Sequence, residues 1–198
     1  MATKSTRDRL IEVGRELIHK YGYNATGLSD ILKAADVPKG SFYHHFGSKE
    51  EFAAEALEEF TSREANHAAA VLGDLKISPL KRLKRYFTDL VKLSGQTGTI
   101  PGCMMGRLTL EIAAESPQLR KRISASFDHW QQTIATVIRQ AVVQKELPAG
   151  TDPESLAGFV LNSWEGALLR SQADQNNRAL ETFMHCAFDQ LLAKKSKV

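Results

Sequence analysis

The spacing of apolar residues constrains the fold of this 198-residue chain more than any other feature. Almost every apolar stretch repeats at three and four residues, and no run of β-branched residues alternates with polar ones between turn signals. Repeats of three and four are typical of amphipathic helices, whereas strands have a period of two. We therefore predict an all-α protein with about nine helices.

Capping residues and prolines mark where several of these helices begin. Ser78, Ser116 and Asp152 each precede a proline, so a capping side chain stands before a proline at the first helical position. Ser48 and Glu51 have the spacing of a capping box. In chain order, the predicted helices begin near Ser5, Thr26, Lys39, Ser48, Ser78, Cys103, Ser116, Asp152 and Asn177, and the last one ends near Leu192.

The composition is that of a compact soluble protein. Hydrophobic residues make up 42% of the chain and charged residues 25%, with only 13 glycines and 6 prolines. No apolar run reaches the roughly 20 residues of a membrane span, and the charged N-terminus lacks a signal-peptide core. Cys103 and Cys186 lie far apart, which implies neither a disulfide framework nor a zinc ribbon and suits a reducing compartment. We expect a cytoplasmic protein that needs no membrane, metal or cofactor.

Charge and motif content favour a binding protein over an enzyme. The formal net charge is +3, and residues 1–50 hold eight basic against six acidic residues. The HExxH, GxGxxG, GxxxxGK and GxSxG motifs are all absent. We expect no enzyme; the alternatives are a thiol-dependent enzyme that uses Cys103 and a helical scaffold that does not bind DNA.

Residues 26–46 have the pattern of a helix, a three-residue turn and a second helix. The second helix is too short to persist alone in water, so neighbouring helices must hold it. This arrangement is a helix-turn-helix, whose second helix enters the major groove of DNA. Lys39 and Gly40 open that helix, where backbone N–H groups meet phosphate and glycine permits close approach.

The remaining residues of the second helix supply the chemistry of base and phosphate contact. We expect Ser41, Tyr43, His44 and His45 to offer donors and acceptors, with Phe42 and Phe46 in the core. For His45, packing at the domain seam or contact with phosphate alone is an equal alternative. Lys49 is either a phosphate contact or an ordinary solvated charge.

The segment from Thr26 to Phe52 resembles the signature of the tetracycline-repressor (TetR) family, and the match covers about the first 55 residues. The turn, Lys39-Gly40, the aromatic residues and Ser48-Lys49 fall in register. The resemblance implies an N-terminal three-helix DNA-binding domain at 1–50 and a ligand-binding, dimerising helical domain at 51–198. Gly27 stands where many members carry a threonine that contacts phosphate, so we expect Thr26 or Ser29 to make that contact.

A second feature is the thiol of Cys103. Pro101-Gly102 places it at or near the first turn of a helix, where the dipole stabilises a thiolate. Arg107 follows one turn later and is expected to lower the pKa of the thiol. The Gly-Cys pair, Arg107 and Glu111 also resemble the branch of TetR repressors that respond to electrophiles or acrylate. That resemblance implies a small-molecule or electrophile inducer; the alternative is a packed thiol.

The remaining helices predict a core and a dimer interface. Trp130 and Trp164 are expected to line a ligand cavity beside Cys103 and Arg107, although aromatic residues at this spacing also fit a plain core. Cys186 is expected to pack within the last helix. The last two helices are predicted to form the homodimer interface, through Ala157, Gly158, Gly166, Ala167 and Ala173 on one and Phe183, Ala187 and Leu191 on the other.

These features together predict a homodimeric, ligand-responsive transcriptional repressor. A two-fold dimer would bind a palindromic double-stranded DNA operator with half-sites about 34 Å apart or a multiple of that distance.

Overall fold

The computed structural model describes residues 5–94, 100 and 102–193, which contain nine α-helices, a π-helical segment and no strand. The elements are α1 Thr6–Tyr21, α2 Leu28–Ala35, α3 Lys39–His45, α4 Lys49–Leu72, α5 Pro79–Ser94, α6 Met104–Ile112, α7 Pro117–Val143, α8 Pro153–Asp174, α9 Arg178–Met184 and the π-helix His185–Leu191. The all-α prediction is confirmed. The last predicted helix is helical over almost its whole expected length. It is not a single α-helix, however, because its backbone changes to π geometry at His185.

Side-chain caps begin two long helices where the sequence placed them. The Ser48 hydroxyl accepts the N–H of Glu51 at 3.0 Å, and the Ser116 hydroxyl accepts the N–H of Leu119 at 3.1 Å. The Glu51 carboxylate accepts the N–H of Gly47 at 2.9 Å instead of that of Ser48. One hydrogen bond of the predicted capping box is therefore present, and the other, from the Glu51 carboxylate, goes to the backbone N–H one residue earlier than expected.

The described residues fall into two compact units. The first unit lies within Met1–Glu64 and Cys103–Ser126, and the second within Ala65–Gly102 and Phe127–Val198. Helix α6 therefore shares a unit with α1, α2 and α3, although about 60 residues of chain separate them. The division between domains at residue 50 stays a prediction.

The first unit is built around three buried phenylalanines. The rings of Phe42, Phe46 and Phe52 lie with centroids 5.0–5.3 Å apart. A Cβ on Gly14 would lie 2.1 Å from the Phe52 ring, so only glycine lets α1 approach α4 this closely. This aromatic core holds the seven-residue α3, which has too few turns to be stable alone.

The second unit has an aromatic core of its own. The Phe87 ring packs against Trp164 and Phe183, each with centroids 5.3 Å away. Arg82 is 1% exposed and donates from Nη2 to the Gln140 side-chain oxygen at 2.6 Å. Among the described helices, none combines the length and the apolar character that crossing a membrane requires.

Candidate nucleic-acid interface and thiol site

Helix α3 presents a polar face to solvent and an aromatic face to the core. Lys39, Tyr43 and His44 are exposed, Tyr43 to 60%, whereas Phe42 is fully buried. The Tyr43 ring packs edge-on against Phe42 with centroids 5.5 Å apart, which limits the positions the exposed ring adopts. The burial pattern within α3 is therefore the one the sequence predicted.

Gly40, Ser41 and His45 complete this helix. Gly40 is exposed, and a Cβ built on it would have nothing within 4 Å, so its backbone is open to an approaching group. Ser41 and His45 are half-buried, and the His45 ring lies 5.1 Å from His44 and 6.2 Å from Phe46. His45 is thus packed on one side and accessible on the other.

Thr26 is buried, which corrects its predicted role. It is 2% exposed, and its hydroxyl donates to the Gly22 carbonyl at 2.6 Å. This hydroxyl stabilises the turn after α1 and has no free side for a phosphate. Ser29 is exposed on the first turn of α2 and remains the candidate of the two.

The Lys49 side chain contacts Tyr23, in the turn between α1 and α2. Its ammonium donates to the Tyr23 carbonyl at 2.7 Å and lies 4.3 Å from the centre of the Tyr23 ring. Burial lowers the pKa of Lys49, and the charge of Glu111 acts in the opposite direction. The sequence missed this clamp because its acceptor is a backbone carbonyl, which carries no residue-type signal.

Cys103 is the N-cap of α6 and is half-buried. The backbone N–H of Arg107 donates to the Cys103 carbonyl at 2.9 Å, which closes the first turn. The predicted position of the thiol at the start of a helix is therefore confirmed. Pro101 lies outside the described residues.

Trp130 and Trp164 belong to the second unit, whereas Cys103 and Arg107 belong to the first. Trp164 is 2% exposed and packs against Phe87, so it is a core residue in the structure. Trp130 is half-buried, and its indole N–H is buried without a hydrogen-bond partner among the described residues.

A groove of about 800 Å³ runs along α8, α9 and the π-helix. Its lining includes Phe159, which is 59% exposed, together with Cys186 and Leu191, which are also exposed. The prediction that Cys186 packs within the last helix is wrong, because its side chain is exposed. Phe183 and Ala187 are buried, so Leu191 is the exposed member of the predicted stripe.

Two protein-family profiles match the chain. "Bacterial regulatory proteins, tetR family" matches residues 10–56, and "Tetracyclin repressor-like, C-terminal domain" matches residues 79–187. The chain belongs to the tetR family. The resemblance seen in residues 26–52 is confirmed, and this tetR-family protein is a DNA-binding regulator of transcription.

Its relatives extend over nearly the whole chain. The transcriptional repressor DhaR of Mycobacterium sp. strain GP1 is 32% identical, and the alignment covers 100% of this chain and 98% of DhaR. A crystal structure of the regulatory protein TetR from Rhodobacter sphaeroides has a TM-score of 0.88 at 32% identity, covering 93% of this chain and 97% of that one. The reduced form of Escherichia coli NemR has a TM-score of 0.88 at 26% identity, covering 98% and 99%. These tetR-family relatives are regulators of transcription.

Proposed function

We propose that this tetR-family protein is a homodimeric repressor that binds a palindromic operator and leaves it when a small molecule or electrophile binds. The observation that carries the proposal is the exposed face of α3. Tyr43 and His44 project from it, while Phe42 and Phe46 anchor it from below. A packed aromatic core of this kind holds the side chains that contact DNA bases in place even when DNA is absent.

Contacts to phosphate and to bases come from different residues of α3. Lys39 supplies a solvated positive charge, and the open backbone at Gly40 lets a phosphate oxygen come closer than any side chain would allow. Tyr43 and His44 lie further along the helix and reach the base edges. Ser41, His45 and Ser29 border this surface.

The proposed dimer interface is the groove along α8, α9 and the π-helix. Phe159 and Leu191 are exposed apolar side chains on its walls, and burying them against a second copy removes apolar surface from water. A two-fold contact of this kind relates two copies of α3 by the same axis, which matches the symmetry of a palindromic operator.

The proposed inducer reacts at Cys103 or binds near it. With an enal or quinone, the Cys103 thiolate attacks the β-carbon and a C–S bond forms. The alkene π pair becomes the C=C bond of an enolate, the carbonyl π pair moves to the oxygen, and the enolate then takes a proton from water. The position of Cys103 at the N-cap of α6 favours the thiolate that this step needs.

Two substitutions test the DNA surface. Tyr43→Ala and His44→Ala should each weaken operator binding by about 1–3 kcal/mol, as expected for a lost base or close phosphate contact. Tyr21→Ala is the matched control, because Tyr21 is a similarly exposed tyrosine, 51%, on α1. Wild-type affinity in both α3 variants in a fluorescence-anisotropy titration would reject α3 as the recognition helix.

Gly40→Ala separates DNA contact from folding. Alanine is a better helix former than glycine by roughly 1 kcal/mol, and the new Cβ meets no protein atom, so α3 should become more stable. The same methyl group blocks the phosphate, so affinity should fall. A variant that gains both stability and affinity would contradict the proposed contact.

The interface and the thiol have separate tests. Phe159→Glu should produce monomers in sedimentation, whereas Val143→Glu, at a position 80% exposed outside the groove, should leave the dimer intact.

Cys103→Ser should keep its affinity for DNA but should no longer be released from DNA by an enal. If the enal still releases the Cys103→Ser protein from DNA, the thiol has only a packing role and the inducer binds without a covalent bond.

A further inference from the structure

Glu111 contacts the turn between α1 and α2, a contact outside the DNA surface and the thiol. It lies in the last turn of α6, and its Oε2 accepts the backbone N–H of Asn24 at 2.8 Å. The backbone of Gly22 is so close that a Cβ there would lie 2.1 Å from Glu111 Oε1. All of these residues belong to the first compact unit.

Glu111 carries a negative charge at the end of α6 where the helix dipole favours a positive one. A carboxylate in the last turn faces the negative end of the helix dipole, which is unfavourable. The Asn24 N–H and the nearby ammonium of Lys49 offset this cost. Because Lys49 also donates to the Tyr23 carbonyl, the two side chains hold consecutive backbone groups of one turn.

A second contact ties the N-cap of α7, four residues after the end of α6, to the start of α4. The Ser116 hydroxyl donates to the Glu50 carboxylate while it caps α7 by accepting the Leu119 N–H. Ser116 therefore hydrogen-bonds to both α4 and α7, and it follows Glu111 by only five residues.

We propose that Glu111 is a positioning residue for DNA binding. It fixes the α1–α2 turn, and that turn sets the placement of α2 and, through it, of the recognition helix α3. A helix of nine residues spans about 14 Å, so α6 joins Cys103 at one end to Glu111 near the other. A change at Cys103 that displaces α6 then moves the turn; this second step rests on the proposed function.

The first experiment compares specific with non-specific DNA binding. An operator is selected from random duplexes with the wild-type protein, and anisotropy gives the affinity for it and for a scrambled duplex. Glu111→Ala should lower the ratio of the two affinities about tenfold, while binding to the scrambled duplex is kept. Glu111→Gln retains an acceptor for the Asn24 N–H and should restore most of the ratio.

Glu115→Ala is the matched control, since it removes the same charge from an exposed position four residues away and should behave as wild type. A purely structural role for Glu111 would lower both affinities together, in step with the unfolded fraction. Equal losses, or an unchanged ratio in Glu111→Ala, would overturn the proposal.

The second experiment tests transmission from Cys103. In a Cys186→Ser background, N-ethylmaleimide modifies Cys103: the sulfur bonds to one alkene carbon and the other takes a proton from water. Glu111→Ala should be modified at the wild-type rate but show a several-fold smaller change in operator affinity. An equal change in both proteins would overturn transmission. If modification leaves wild-type affinity unaltered, the proposed thiol sensor fails, and the affinity ratio still decides the role of Glu111.

Discussion

Gly22→Ala adds one methyl group at a position with two independent obstacles. Gly22 has φ 93° and ψ 167°, a backbone region that essentially only glycine adopts and that costs other residues about 1–3 kcal/mol. The new Cβ would also lie 2.1 Å from Glu111 Oε1, so the carboxylate must leave. Losing its hydrogen bond to Asn24 costs about 1.5–3 kcal/mol, because one partner is charged. We expect a total loss of about 2.5–6 kcal/mol.

Glu111→Ala separates the two contributions. In that background the methyl group of Gly22→Ala meets no carboxylate, so only the backbone cost of about 1–3 kcal/mol remains. The double-mutant cycle should therefore give a coupling energy of about 1.5–3 kcal/mol, equal to the hydrogen-bond contribution.

Native-state hydrogen exchange of the α1 amides measures these free energies within the first unit. Each tenfold rise in exchange rate corresponds to about 1.4 kcal/mol. Gly150→Ala is the control, because Gly150 lies in the second unit with nothing within 4 Å of the added Cβ, and alanine there should be neutral or stabilising. Strictly additive losses in the cycle, or wild-type protection in Gly22→Ala, would refute the reasoning.

Three further changes test the two cores and the turn after α1. Phe42→Ala removes a fully buried ring and should destabilise the first unit by about 3–5 kcal/mol, measured by the same exchange experiment, with loss of DNA binding; protection within 1 kcal/mol of wild type would contradict the packing. Arg82→Met leaves the Gln140 oxygen without its donor and should cost about 1–3 kcal/mol in urea unfolding followed by tryptophan fluorescence, whereas a gain in stability would show that burying the guanidinium costs more than its hydrogen bonds return. Burial, with help from nearby carboxylates, raises the pKa of Tyr23, so its contribution to stability is present below pH 10 and is lost as the pH rises through the folded-state value. Protection of α1 should therefore fall less steeply above about pH 10 in Tyr23→Phe than in wild type, and parallel curves would contradict this.

Local signals in the sequence predicted the helix starts and the burial pattern of α3 well. Ser48 and Ser116 cap helices because a hydroxyl bonds to an N–H three residues away, an interaction that needs no tertiary contact. The period of α3 likewise separates exposed Tyr43 from buried Phe42. The same reasoning placed Cys103 at a helix start, where it is the N-cap.

The predictions that failed depend on neighbours that the sequence does not identify. Thr26 looks like any polar residue before a helix, yet a buried bond to Gly22 removes it from the surface. Cys186 stands beside Ala187 in an apolar stretch of the sequence, yet Cys186 is exposed and Ala187 is buried.

The sequence by itself determined the helical architecture, the family and the face of α3 that meets solvent, since each follows from spacing and caps within a few residues. The tertiary structure alone decided that Glu111 accepts a hydrogen bond from Asn24, 87 positions away. It alone also decided that Lys49 donates to the Tyr23 carbonyl in the same turn between α1 and α2. These contacts involve backbone groups, which are identical in every residue. Packing brings them together, and residue type gives no sign of it.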